Sequence, residues 1–345
     1  MPDSPLALEE RIARAPGDFR ILTGDRPTGA LHLGHYFGTL QNRVRLQDLG
    51  VETFLVIADY QVITDRDLAG DLPGHVREIL LDQLAAGIDP ERTTFFAHSA
   101  VPALNQLLLP LLSLISVPEL NRNPTVKAET AATGGRAMTG LMLTYPVHQA
   151  ADILFCGANL VPVGKDQLAH LEVTRVLARR FNERYSPTTP LLGEPEALVG
   201  ATPTLLGVDG EKMSKSRGNA IELRATADQT AAQLKRAKTD SLRHITYDPE
   251  ARPEVSNLVL LAALCLGESP EEVAELVGDG GSAVLKKMTT EAVNDYFAPL
   301  RARRAALGAD TGVLGEILAR GNAAANEVAE ETLDAVRVAM NMSYT

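Results

Sequence analysis

One stretch constrains what the N-terminal half of this chain can become: Gly24-Asp25-Arg26-Pro27-Thr28-Gly29-Ala30-Leu31-His32-Leu33-Gly34-His35-Tyr36. It follows an apolar run, Phe19 to Leu22, that reads as a first β-strand. From about Leu33 the spacing turns helical and continues to Leu49, with Gly50 as the C-cap. Strand, glycine-bearing turn and helix in that order form a nucleotide-binding edge, because unpaired N–H groups at a helix start attract phosphate. His32 and His35 are spaced to lie on one face of the first helical turn, where an imidazole N–H can meet a phosphate oxygen. Gly34 between them lets a flat ring such as adenine approach the backbone.

The alternation continues downstream. Thr53 to Ala58 is a short apolar run rich in β-formers, Leu72 to Ala86 is a helix closed by Gly87, and Thr93 to Ala97 is a third strand. This predicts an α/β fold, a doubly wound parallel, Rossmann-like nucleotide-binding domain. Leu104 to Leu114 is apolar nearly all round, which fits either a buried helix or a subunit interface. Gly134-Gly135 marks a loop, Thr139 to Phe155 a helix, Leu160 to Val163 a strand and Asp166 to Phe181 an amphipathic helix. From Ala225 the strand signals stop. Helical patterns follow over Ala225–Lys238, Asn257–Leu266, Pro270–Val277, Thr289–Leu307 and Leu314–Met340. The expected organisation is an N-terminal extension (1–18), a catalytic α/β unit (19–223) and a smaller all-helical C-terminal unit (224–345). The last helix, about 314–340, is able to pack back on the α/β unit.

Composition narrows the function classes. A chain of 345 residues with 45% hydrophobic content builds a sizeable core. No apolar run reaches membrane-span length, and Met1 to Phe19 is Pro- and charge-bearing rather than signal-like. Cys156 and Cys265 have no companions for a zinc site or disulfide framework, which points to buried thiols in a reducing cytoplasm. The net charge of −11 opposes general nucleic-acid binding. Local clusters (Arg175/Arg179/Arg180/Arg184, Lys235/Arg236/Lys238, Arg301/Arg303/Arg304) keep it open, although each alone fits a solvated helix face.

A second string, Lys212-Met213-Ser214-Lys215-Ser216, sits between Asp209-Gly210 and Gly218-Asn219. Two lysines and two serines on a loop flanked by glycines suit a mobile clamp for polyphosphate. Either motif alone is weak evidence. Together, HLGH after the first strand and KMSKS before a helical segment resemble the class I aminoacyl-tRNA synthetases. Thr144-Tyr-Pro-Val-His-Gln-Ala-Ala-Asp-Ile-Leu154, Leu160 to Arg175, Arg179 to Asn182 and the closing helix Gly321 to Met340 narrow this. They are similar to the tryptophanyl-tRNA synthetases, over the chain from about residue 19 to the end.

The resemblance implies ATP-dependent activation of L-tryptophan, with release of pyrophosphate, and transfer of the amino acid to tRNA(Trp). It also implies Mg²⁺ accompanying ATP, with no protein ligand assigned to it, and a cytoplasmic homodimer. By position it implies catalytic roles for His32, His35, Lys127, Lys212 and Lys215. ATP contacts fall to Arg26, Thr28, Gly34, Asp166, Met213, Ser214 and Ser216, and the amino-acid pocket to Tyr145, Gln149, Asp152 and Gln167. Lys127 reads equally as an exposed structural lysine, and Asp166 as a helix cap. Asp152 has independent physical support: a carboxylate among Ala150, Ala151, Ile153 and Leu154 is costly unless a donor meets it. Two positions depart from the family pattern. Gln149 stands where many members place methionine, and Tyr145-x-x-x-Gln149-x-x-Asp152 also resembles the tyrosine pocket of tyrosyl-tRNA synthetases. Arg26 stands beside a loop where other members carry glutamine. Tyrosine activation by the same machinery is therefore the alternative, and a synthetase-like protein without ligase activity is a second. His75, His98, His148, His170 and His244 show no ligand spacing and receive no role.

Overall fold

The structure is a computed structural model describing residues 5–63, 70–132, 137–164, 167–200, 204–214, 217–310 and 312–344, with 5–6 and 129–132 as backbone. Five parallel strands form one sheet in the order β3-β2-β1-β4-β5. They are β1 (Arg20–Asp25), β2 (Glu52–Ile57), β3 (Thr93–Ala97), β4 (Leu160–Val163) and β5 (Glu196–Val199). The order reverses between β1 and β4, and a doubly wound sheet binds its ligands at the carboxyl ends beside such a reversal. β1 pairs with β2 along its whole length, from Arg20↔Glu52 to Asp25↔Ile57. With β4 it shares the single pair Ile21↔Leu160, so a crevice opens beyond that point.

The helices follow chain order. α1 (Pro5–Arg14) precedes β1. The crossover to β2 comprises α2 (Leu33–His35), a π turn over Tyr36–Leu40 and α3 (Gln41–Leu49), where the sequence predicts one continuous helix. At the break the Thr39 hydroxyl donates to the His35 carbonyl at 2.8 Å, competing with the backbone ladder. α4 (Asp59–Val62) and α5 (Leu72–Ala86) lead to β3. Then come α6 (Pro102–Gln106), α7 (Leu108–Leu112), α8 (Val117–Arg122), α9 (Pro124–Ala132) and α10 (Gly140–Leu154) before β4, and α11 (Leu168–Tyr185) before β5. The rest is helical: α12 (Ala227–Lys235), α13 (Pro253–Leu266), α14 (Pro270–Val277), α15 (Gly281–Ala309) and α16 (Val313–Ala339). Gly134 and Gly135 lie outside the described residues. Among those residues no helix is long and apolar enough to cross a membrane.

Alternation along the strands divides the core. Phe54, Val56 and Phe96 face one layer, with Val147, Phe155, Ala325 and Leu333. Leu55, Ile57 and Phe95 face the other, with Leu31, Leu84, Leu258 and Phe297. The second layer runs through helices on both sides of residue 224. The apolar stretch at 104–114 breaks into α6 and α7, with Pro110, which has no backbone N–H, inside α7. Its Leu104, Leu107, Leu111 and Leu114 are buried while Leu109 is 73% exposed, so one face is core and the other is surface. The arginine clusters are engaged within the fold: Arg179 with Glu194, Arg180 with Glu119, and Arg304 with Glu78 and Asp82.

α16 does pack back on the sheet. It covers the outer edge of β3, where Asn322 Oδ1 accepts the Ala97 N–H at 3.0 Å. Gly321 allows this approach, because a Cβ there would stand 1.8 Å from the Phe95 carbonyl oxygen. Gly321→Ala should therefore cost about 1–3 kcal/mol in denaturant unfolding, the scale of overpacking. Gly315→Ala, whose Cβ would meet nothing within 4 Å in the same helix, should be neutral or stabilising. Equal effects at the two positions would contradict the close packing.

Candidate active site

The crevice holds a cavity of about 650 Å³ lined by the carboxyl-end halves of β1 and β4, the loop after β1, α10 and the lysine-bearing loop. Arg26, His32, Gly34, His35, Lys212 and Met213 reach it from one side. Tyr145, Gln149, Asp152 and Gln167 reach it from the other. The sequence places these residues as far as 187 positions apart (213 − 26), and the fold brings them to one wall-to-wall space. Thr28 and Lys127 are exposed and do not line it; Thr125, also on α9, does. Lys215, Ser216 and Asp166 lie outside the described residues.

The histidine loop is fixed by backbone bonds to the segment that follows the lysine loop. Leu33 N–H donates to Ile221 O at 3.0 Å and Leu223 N–H to Leu31 O at 2.9 Å, with His32 bridging Glu222 between them. From beneath, the buried Asp82 accepts the Leu31 N–H at 2.7 Å and is held in turn by Arg304 of α15, also at 2.7 Å. His32 is the N-cap of α2, and its N–H donates to His35 Nδ1 at 3.2 Å, which leaves the His35 proton on Nε2. The two rings stand 3.7 Å apart, tilted by 40°. A Cβ at Gly34 would press on the His32 ring at 3.1 Å, so the absent side chain leaves that ring its place, with Met213 Sδ 3.6 Å from the same point.

The floor is charged and braced. Asp25 pairs with the buried Arg43 at 2.5 Å and accepts from Gln83 at 2.8 Å. Burial would raise its pKa, but the Arg43 charge and hydrogen bond, His35 and Gln83 outweigh burial and hold it below the usual carboxylate range. On the lysine loop, Asn219 is the brace. Its Oδ1 accepts the Ser214 N–H at 2.8 Å, and its Nδ2 donates to Asp209 at 2.7 Å and to the Lys212 carbonyl at 3.2 Å.

The opposite wall contains residues that sequence spacing does not reveal. His170, given no role from sequence, takes the Tyr145 hydroxyl on Nε2 at 3.0 Å and faces Gln167 Oε1 from Nδ1 at 3.0 Å. It thereby links two of the expected pocket residues through one buried ring. His98, also given no role, brings Nε2 to 2.8 Å from Asp152 Oδ1. His148 stands against the His98 ring, centroids 4.6 Å apart. These histidines lie 50 residues apart in the chain (148 − 98), with no motif between them, so tertiary structure alone joins them.

His98, His148 and Asp152 place ligand atoms within 4.8 Å of one another. Hydrogen bonding argues against a cation there. Asn105 Nδ2 donates to the His98 and Val101 carbonyls at 2.8 and 2.9 Å, which fixes Asn105 Oδ1 as an acceptor 2.9 Å from His148 Nε2. His148 therefore carries its proton on Nε2, and its Nδ1 accepts from Gln61 Nε2 at 3.2 Å. Both of its nitrogens are occupied. Burial keeps His148 below the ordinary imidazole pKa against the pull of Asp152, with His98 adding to the lowering.

Comparison with known proteins finds relatives over nearly the whole chain. The family model of tRNA synthetases class I (W and Y) matches residues 15–298. The tryptophan–tRNA ligase of Treponema pallidum is 40% identical over 94% of this chain and 97% of the relative. That of Lactococcus lactis is 38% identical over 94% and 98%. Among solved structures, tryptophanyl-tRNA synthetase from Campylobacter jejuni complexed with ADP and tryptophan superposes with a TM-score of 0.80. It is 30% identical, covering 93% of this chain and 99% of that one.

Asn219→Ala should free the lysine loop without unfolding the sheet. The Ser214 amide is expected to exchange about tenfold faster or more, the scale of one lost buried hydrogen bond. Exchange confined to wild-type rates would show that Asn219 is not the brace.

Proposed function

The chain belongs to the class I tRNA synthetases of the tryptophan and tyrosine group, and we propose that it activates L-tryptophan with ATP and transfers it to tRNA(Trp). One observation carries the reading: a single cavity is lined by the phosphate-type groups His32, His35 and Lys212 and by the amino-acid-type groups Tyr145, Gln149, Asp152 and Gln167. In the first step a carboxylate oxygen of tryptophan forms a bond to the α-phosphorus of ATP, and the bond to pyrophosphate breaks. The protein does little covalent work; it orients the reactants and stabilises spread negative charge. His35, with its proton on Nε2, and Lys212 supply positive electrostatic potential to that charge, and Lys215 is assigned the same task from the sequence pattern. In the second step a terminal tRNA hydroxyl attacks the acyl carbonyl and AMP leaves.

Asp152 selects the amino acid by accepting the indole N–H, and Tyr145 and Gln167, joined through His170, hold the head group. A buried acceptor rejects ligands without a matching donor, because it is then left unpaired. Mg²⁺ enters with the phosphates of ATP: the described carboxylates on the cavity, Asp25 and Asp152, are engaged by Arg43 and His98. The helices after residue 224 are assigned to reading unstacked anticodon bases. The exposed side of α7, with Leu109, and neighbouring Val117 at the start of α8 are assigned to contact with a second copy in a cytoplasmic homodimer.

The chain has no tryptophan, so indole fluorescence in a complex comes from the ligand. Tryptophan-dependent ATP–pyrophosphate exchange should exceed tyrosine-dependent exchange, and Asp152→Ala should lower kcat/KM for tryptophan by about 10²–10⁴-fold while leaving ATP binding nearly unchanged. Exchange with tyrosine and not tryptophan would overturn the substrate, and equal losses of both ligands would make Asp152 structural. A monomeric mass in solution at micromolar concentration would remove the dimer.

A further inference from the structure

Asp152 lines the amino-acid cavity, yet its Oδ1 is sealed from it. What covers Oδ1 is His98, which comes from the end of β3 and is 0% exposed. The approach of 2.8 Å lies off the line that a ring N–H would take, so it is a charge contact rather than a well-directed hydrogen bond. His98 Nδ1 is likewise buried and makes no hydrogen bond. A neutral imidazole buried in this way leaves two polar nitrogens unsatisfied, whereas an imidazolium beside a carboxylate recovers part of that cost by Coulomb attraction. The oxygen left for a ligand is Oδ2.

We propose that His98 is a positioning residue of the amino-acid site: as an imidazolium it anchors Oδ1 of Asp152, turning Oδ2 toward the ring N–H of the bound amino acid. This rests on the reading of Asp152 as the group that selects tryptophan. The surroundings are arranged for it. Asn105 clamps the His98 backbone carbonyl at 2.8 Å and holds His148 as a neutral neighbour at 2.9 Å, so no second positive charge competes beside His98. The charged and titratable groups facing His98 are Asp152 and His148 from α10 and Asp59 and Tyr60 from α4, with Tyr60 stacked at 6.4 Å between centroids. Asp59 is itself held by Ser99, the residue after His98. Burial alone would depress the His98 pKa, but the charge and contact of Asp152 and the charge of Asp59 outweigh it and leave the pKa above the ordinary imidazole value.

The sign follows. A raised pKa means that the charged anchor is fully present below the ordinary imidazole pKa and is lost as pH rises through the folded value. Tryptophan affinity should fall along the same curve.

The test is equilibrium binding, followed through the fluorescence of the ligand indole upward from about pH 6, just below the ordinary imidazole pKa. His98→Ala should weaken tryptophan binding by about tenfold or more, the scale of an uncompensated buried polar group, with ATP binding unchanged. His98→Gln, which keeps similar bulk and a donor but neither the charge nor the titration, should bind tryptophan at a pH-independent level between those of His98→Ala and wild type at low pH. In the folded Asp152→Asn protein, the His98 ring resonance, assigned by its loss in His98→Gln, should titrate at a lower pH than in wild type. Equal losses of tryptophan and ATP binding in His98→Ala, or one pH curve shared by wild type and His98→Gln, would overturn the inference. Asp152→Asn weakening tryptophan binding while His98→Ala does not would overturn this inference alone. Full tryptophan affinity in Asp152→Asn would overturn the reading of the pocket beneath it.

Discussion

Two backbone hydrogen bonds, Leu33 to Ile221 and Leu223 to Leu31, hold the site together. They join segments 188 and 192 positions apart (221 − 33 and 223 − 31) and make the histidine loop and the stem of the lysine loop into one wall. Backbone pairing suits this task because it fixes position without depending on side-chain rotamers. Asp82 and Arg304 brace the same point from below, tying the wall to α15. Gly34 completes the arrangement by leaving room for the His32 ring. The lysine loop itself hangs from the wall through Asn219, a polar clamp on an otherwise glycine-flanked segment. A fixed histidine wall and a separately braced lysine loop suit the proposed grip on phosphate from two directions.

The wall proposed to seat the amino acid follows a different rule, in which Tyr145, Gln167 and Asp152 are each backed by a buried histidine. Tyr145 and Gln167 meet through His170, and Asp152 leans on His98, with His148 and Asn105 behind. A carboxylate in an apolar pocket needs either a ligand or a counter-charge, and in the proposed reading His98 is that counter-charge. The carboxylate is thereby preorganised rather than left to find a partner inside the cavity.

Much of this was legible in the chain. The strands β1 to β4, α5 with its Gly87 cap, and the switch to helices after residue 224 follow from periodicity and punctuation. The two phosphate motifs and Asp152 stand out because their residue types are unusual for their surroundings. The misses have physical causes. β5 is four residues, begins with Glu196 and is largely unburied, so it lacks an apolar signature. α15 starts at Gly281, well before Thr289, because a Gly-Gly pair conceals a helix start that tertiary packing stabilises. The π turn at Tyr36–Leu40 leaves the apolar spacing almost unchanged. No local spacing links His98 and His148: one opens the turn after β3, the other lies within α10, and only the folded chain brings the rings together.

The central claim is that one cavity seats both halves of an aminoacyl adenylate, with Asp152 reading the amino-acid ring. A crystal structure with a non-hydrolysable tryptophanyl-adenylate analogue tests it most directly. The account predicts the indole nitrogen within about 3.2 Å of Asp152 Oδ2, the range of a good N–H···O bond, with His98 still on Oδ1 and the phosphate between His35 and Lys212. An indole seated away from Asp152, or a phosphate bound away from the histidine loop, would contradict it.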